Sequence, residues 1–281
     1  MVIVAVGSDK GAPGATTLAT VFGLCWPGER VLCELDLRGA DLPFRLRAAS
    51  GDFMPANPSL ITLAVDSRPG TAAPPPKLER YARQSSLGIP VIRGEVGSRA
   101  NSKVAPHLPS VAAVAARWPG AVIADVGSLQ PSNPALVVAK AAAVVLLVVR
   151  PTTEGLGHLR ARVEELSEYV GDPNRERPSV GVVLVAEPRD EKTVSGQAQA
   201  LLGSIGSPAP VVGVFAHDPS AVSLLWSGRR ESRKLTRSSL VRSAEKLISR
   251  LFDLWPDEMS ASWWALPTGP SPFQQQIGIM P

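Results

Sequence analysis

The stretch "VIVAVGSDKGAPGATTLATVFG" (residues 2–23) decides how the chain is read. Five apolar residues, four of them β-branched, form a continuous run, as expected for a strand covered on both faces. A turn containing Gly7, Gly11 and Gly14 follows. The apolar "TTLATVFGL" (16–24) then predicts a helix whose first turn carries Thr16 and Thr17. In a strand–turn–helix of this kind, successive backbone N–H groups and the positive end of the helix dipole converge on one spot, which suits a phosphate. Gly11 and Gly14 permit close backbone approach, and Thr16 stands where a hydroxyl can ligate magnesium. An ordinary strand-to-helix turn has the same outline. Ala15 stands where a phosphate-binding loop usually carries a lysine.

Working outward, further apolar runs occur at 30–35, 59–65, 89–94, 121–126, 142–149, 179–185 and 210–215. Each is read as a strand. Helices are expected at 108–118, 155–170 and 238–255. Strands alternating with helices predict a three-layer α/β fold, with a mostly parallel central sheet and helices on both faces. "DSRPGTAAPPPK" (66–77) reads as an exposed loop, because successive prolines remove donors and fix φ. The expected domain runs over 1–255, with 256–281 set apart as a Pro- and Trp-containing tail.

Two carboxylates extend the phosphate signal. Asp36 follows the second apolar run in "VLCELDLRGADLP" (31–43), and Asp125 ends another in "WPGAVIADVGSL" (118–129). Both are expected at the carboxyl edge of the sheet, where open α/β sheets bind ligands. An aspartate ending a hydrophobic strand is a common way to present a magnesium-supporting carboxylate. Any one of these residues could equally be a turn or cap residue; their joint order is what carries the reading.

With these motifs in view, the chain resembles the ParA/MinD family of deviant-Walker P-loop ATPases from about residue 2 to 255. That family's loop reads K-G-G-x-G-K-[ST]-[ST]; here it is Lys10, Gly11, Ala12, Pro13, Gly14, Ala15, Thr16, Thr17. The resemblance implies a P-loop NTPase fold binding ATP and magnesium. It implies that Lys10 reaches across a nucleotide-linked homodimer to the partner's phosphates. It makes Thr16 and Asp125 the magnesium ligands, and Asp36 the carboxylate that orients the attacking water. Residues 215–219 would lie near the base. The chain departs from the pattern at Ala12 and Ala15, at Asp9 beside the loop, and at Ala186 and Glu187, where the family often has an asparagine for adenine.

A lysine 4 Å from a phosphate oxygen contributes roughly 4 kcal/mol at an effective dielectric of 20, before desolvation. Charge-assisted amide hydrogen bonds contribute about 1.5–3 kcal/mol each, so binding is expected to survive, weakened. Hydrolysis is expected to be slow, because removing one donor from a developing negative charge typically costs about 10²–10³ in rate. Arg38 and Arg150 are candidate substitutes; both also read as plain surface arginines. The expected role is a dimerising switch or positional organiser, in partitioning, septum-site or secretion-apparatus localisation. The alternative is a scaffold that keeps the fold without nucleotide.

Other features bound the reading. The 281 residues carry a net charge of +4, too mild to announce a nucleic-acid protein by composition. Even so, Arg229, Arg230, Arg233, Lys234 and Arg237 cluster in "GRRESRKLTRSS" (228–239). They are candidates for non-specific DNA contact, as the resemblance implies, or a solvated surface. Cys25 and Cys33, the sole cysteines, have no zinc spacing and suit a reducing compartment; a cytoplasmic location is expected. Their positions also disfavour an enzyme with a cysteine-bridged cluster. No signal peptide or membrane span is expected. The helix at 238–255 has one apolar stripe, read as core-facing. The tail's Trp263, Trp264, Leu266, Pro267 and Phe273 suggest a protein-partner segment.

Overall fold

The computed structural model describes residues 2–9, 14–70, 76–170, 180–228 and 233–260. The strands are β1 Val2–Ser8, β2 Arg30–Glu34, β3 Arg83–Gln84, β4 Pro90–Ile92, β5 Ala121–Ser128, β6 Val144–Val149, β7 Val180–Ala186 and β8 Val211–Ala216. They form one sheet in the order β3-β4-β2-β5-β1-β6-β7-β8. Only the β3–β4 pairing is antiparallel. The parallel strands therefore share one carboxyl edge. β1 lies between β5 and β6, where the strand order changes direction, so the end of β1 opens at the switch point of the sheet.

The helices are α1 Ala15–Cys25, α2 Leu42–Arg45, α3 Leu60–Asp66, α4 Ser98–Val104, α5 Leu108–Ala115, α6 Leu136–Lys140, α7 Thr153–Val170, α8 Glu191–Ser204, α9 Pro219–Trp226, α10 Arg233–Thr236, α11 Ser239–Leu254 and α12 Pro256–Ser260. Alternation along β1 divides the core into two layers. Val2, Val4 and Val6 pack with Leu18 and Phe22 of α1 and Leu247 and Leu251 of α11. Ile3 and Ala5 belong to the opposite layer with α3, α5, α6, α7 and α8. Both faces of the sheet are covered, which is why its strands read as unbroken apolar runs. The expected α/β architecture holds.

One element was expected as a strand and is a helix. "SLITLAV" (59–65) is β-branched, but its buried residues Leu60, Leu63 and Ala64 recur at helical spacing. Ser59 and Thr62 close a capping box, with the Ser59 N–H donating to Thr62 Oγ1 at 2.8 Å. The stretch 66–77 begins with Asp66 as the last residue of α3, and 68–70 are exposed. The stripe of α11 is core-facing as expected: Leu240, Ala244, Leu247, Ile248, Leu251 and Trp255 are all buried. Of the stretch set apart as a tail, Met259 is buried in the same core layer. Trp263, Trp264, Leu266, Pro267 and Phe273 lie outside the described residues.

Candidate nucleotide site

β1 delivers the chain to the carboxyl edge, and Gly14 starts α1 with φ 108° in the left-handed region. Only glycine adopts that conformation readily, so this position demands it. The Leu18 N–H closes the first helical turn on the Gly14 carbonyl at 2.8 Å. Among the described residues no side chain caps the helix, and its first turn holds no acidic residue, so the helix end keeps its pull on an anion. Ala15 is 3% exposed and belongs to the apolar layer behind the loop. Lys10, Gly11, Ala12 and Pro13 lie outside the described residues.

Asp125 comes to the same corner from β5. It was expected at the strand's end; the strand in fact runs three residues further, with a register irregularity beside it. Its carboxyl is buried, which raises its pKa to about 6, against the pull of hydrogen bonds from the Thr16 side chain and the Gly127 N–H. The Gly127 N–H donates to Oδ1 at 3.2 Å. Oδ2 is buried and has no hydrogen-bond partner among the described residues. Thr16 of α1 and Asp125 of β5 are thus brought together, with one carboxylate oxygen lacking a partner among the described residues.

Asp36 lies two residues beyond β2. Gly127, with φ +66°, leaves it room: a Cβ there would fall 2.3 Å from Asp36 Cγ. Its carboxylate is gripped by Arg38, with Nε donating to Oδ1 at 3.1 Å and Nη2 to Oδ2 at 2.9 Å. The Arg38 N–H also donates to Oδ1, at 3.0 Å.

Two supports escaped the sequence reading. Glu34, buried at the end of β2, accepts the N–H groups of Asp41 and Leu42 at 2.8 Å and of Gly94 at 3.0 Å. It ties the far end of the loop carrying Asp36 and Arg38, and the segment that follows β4, to the end of β2. Burial dominates its environment and pushes its pKa up to about 7. Asp9, noted in the sequence as a departure beside the loop, accepts from Arg162 Nε of α7 at 2.7 Å. Partners 60 and 153 residues apart leave no local pattern to find.

On the other side of β1 a cavity of about 370 Å³ opens above the ends of β6, β7 and β8, lined in part by Arg150, Thr152, Ala186, Glu187, Thr193 and His217. Phe215 itself is buried in the core. Ser239 Oγ donates to Asp218 Oδ2 at 2.7 Å, tying the start of α11 to the loop after β8. The exposed Arg233, Lys234 and Arg237 precede that junction, whereas Arg229 and Arg230 lie outside the described residues.

Among the described residues no group of three or more His, Cys, Asp or Glu could hold a metal ion alone. Magnesium bound with a nucleotide needs less: one or two protein oxygens, with phosphates and waters completing the shell. The unpartnered Asp125 Oδ2 and the adjacent Thr16 hydroxyl fit that demand. No helix among the described residues is long and apolar enough to cross a membrane.

No protein-family model matches the chain. No curated protein matches it in sequence. Solved structures do match in fold. A ParA family ATPase from Chlorobium tepidum is 16% identical with a TM-score of 0.66, over 88% of this chain and 97% of that one. The septum site-determining protein MinD from Pyrococcus horikoshii, solved with Mg-ADP, is 18% identical with a TM-score of 0.66, over 91% and 98%. A McdA–ATP complex from Cyanothece is 15% identical with a TM-score of 0.59, over 90% and 95%. Nearly the full length of each is matched, and the chain therefore has the fold of the ParA and MinD ATPases.

Proposed function

We propose that the chain is a divergent ParA/MinD-family protein that binds ATP and magnesium at the carboxyl end of β1 and acts as a dimerising switch or positional organiser. The observation that carries this is Asp125 Oδ2: a buried carboxylate oxygen without a partner among the described residues, beside Thr16 at a helix start that none of their side chains caps. A buried polar atom left unpaired costs about 1–3 kcal/mol. Magnesium held there would neutralise charge on the β- and γ-phosphates. The amides of the first turn of α1 bind the phosphates, Thr16 and Asp125 hold the metal's protein side, and Asp36 orients water. Lys10 reaches the partner's phosphates across a homodimer. Hydrolysis is slow, because Ala15 brings no charge to the loop.

Arg233, Lys234 and Arg237, together with Arg229 and Arg230, form a surface for non-specific duplex DNA. The tail beyond 260 recruits a protein partner. The protein works in the cytoplasm.

A second reading has its own support. Ala15 is packed into the apolar layer and Asp36 is clasped by Arg38, as suits a scaffold that no longer uses nucleotide. Isothermal titration with ATP and ADP, with and without magnesium, separates the two. Magnesium-dependent ATP binding in the micromolar range or weaker is expected. No heat at millimolar ATP would establish the scaffold.

A further inference from the structure

The loop that should carry a cation carries Ala15, so any charge for the polyphosphate must come from elsewhere. Several arginines stand near the site, and most are committed. Arg162 holds Asp9 and Glu165. Arg45 pairs with Asp41 at 2.6 Å and lies over the Trp226 ring, 5.4 Å from its centroid. Arg150 lines the cavity on the far side of β1.

Arg38 differs. Its side chain is 56% exposed, and among the described residues its guanidinium is held by Asp36 alone. The fork it presents to Asp36, two parallel N–H···O bonds at 3.1 and 2.9 Å, is the geometry with which a guanidinium takes a phosphate. The pair also has a consequence for Asp36. Arg38 fills three of the carboxylate's acceptor positions, two on Oδ1 and one on Oδ2, and so competes with water for Asp36. An ion pair this open to solvent contributes little to stability, so a polyanion can break it.

We propose that Arg38 is the phosphate-binding cation of this site, parked on Asp36 in the nucleotide-free chain and exchanged onto the polyphosphate when it binds. One movement then supplies the charge that Ala15 lacks and frees the carboxylate. This rests on the nucleotide reading above. The cation arrives from the loop after β2 instead of from α1, and Glu34 at the end of β2 holds the far end of that loop through the Asp41 and Leu42 N–H groups.

The test is Mg-ATP titration of the full chain and of Arg38→Ala, Arg38→Lys and Asp36→Asn, each checked for an unchanged melting temperature. Arg38→Ala should weaken binding about tenfold or more, as loss of a charge-assisted fork demands, and Arg38→Lys should restore only part of it. Asp36→Asn should tighten binding by about threefold or more, because the competing partner is gone and the competent fraction rises. Opposite signs for the two single variants are the signature of exchange. If Asp36→Asn weakens binding as Arg38→Ala does, the pair is a structural unit and the proposal fails. If the unaltered chain binds but Arg38→Ala stays within about twofold of it, Arg38 is a surface arginine. No binding by the unaltered chain at millimolar ATP overturns the nucleotide reading itself.

Discussion

Gly127 and Asp36 share one corner of the site: the Cβ that any other residue would carry at 127 falls 2.3 Å from Asp36 Cγ and Oδ2. The glycine is therefore set by a neighbour's carboxylate as much as by its own φ of +66°. Gly127→Ala must push Asp36 away while leaving α1 and Thr16 in place. ATP affinity should not fall, and turnover should fall about 10²-fold, as a misplacement on the order of 1 Å can produce. Parallel titration and phosphate-release assays check this. Equal loss of binding and turnover would mean that Asp36 supports the site as a whole.

Ala15→Lys restores the charge the loop lacks. The side chain of Ala15 is buried among apolar residues, so the lysine stem must leave that layer to reach the phosphates. Affinity for Mg-ATP should rise about tenfold, well short of the roughly 4 kcal/mol Coulomb attraction, since desolvation takes most of it. A drop of a few degrees in melting temperature should accompany it. An unchanged affinity would show that the pocket is no longer shaped for a lysine.

The parts of this architecture that were legible in the sequence are those with a local cause. β1, β5, β6 and β7 are continuous apolar runs because both faces of the sheet are covered. Gly14, Thr16, Asp36 and Asp125 stand out because strand ends and helix starts are where such residues act. α3 was misread because Ile61, Thr62 and Val65 suggest a strand, although Ser59 and Thr62 spell the capping box that wins. α8 was missed because Val194, Ala198, Leu201 and Leu202 make a narrow stripe in a polar, Gly-containing segment. The Glu34 clasp and the Asp9–Arg162 pair depend on tertiary approach alone.

Glu34 should leave a mark on the pH dependence of stability. Its carboxyl is raised from 4.5 to about 7, chiefly by burial, so the native chain binds this proton more tightly than the unfolded chain. Stability from this group is greatest at low pH and falls as pH rises from about 4.5 through 7, before levelling. Asp125, raised to about 6, faces it across the β2–β5 register and bends the profile the same way. Melting temperatures of the unaltered chain should therefore decline between pH 5 and pH 8, and Glu34→Gln should flatten the upper part of that decline. Glu34→Ala should instead destabilise at every pH, because it orphans amides that cost about 1–3 kcal/mol each. An upward slope in the unaltered chain would sink this account of Glu34.

The exposed cations after α9 give the last prediction. Arg233, Lys234 and Arg237 are exposed just before the junction at which Ser239 is tied to Asp218 in the loop after β8. If nucleotide pairs two chains through Lys10, the two basic patches act together, and duplex affinity should rise with Mg-ATP through effective concentration alone. Binding should be indifferent to sequence and fall steeply with salt. Reversing all three residues to glutamate should abolish it with little change in melting temperature, since exposed charges contribute little to folding. Lys10→Ala should remove only the response to nucleotide and keep the weaker basal binding. Mobility-shift titrations with two unrelated duplexes at two salt concentrations, with and without a slowly hydrolysed ATP analogue, read the binding outcomes. Nucleotide-driven dimerisation without any duplex binding at micromolar protein would leave the switch intact and assign its cargo to the segment carrying Trp263 and Trp264.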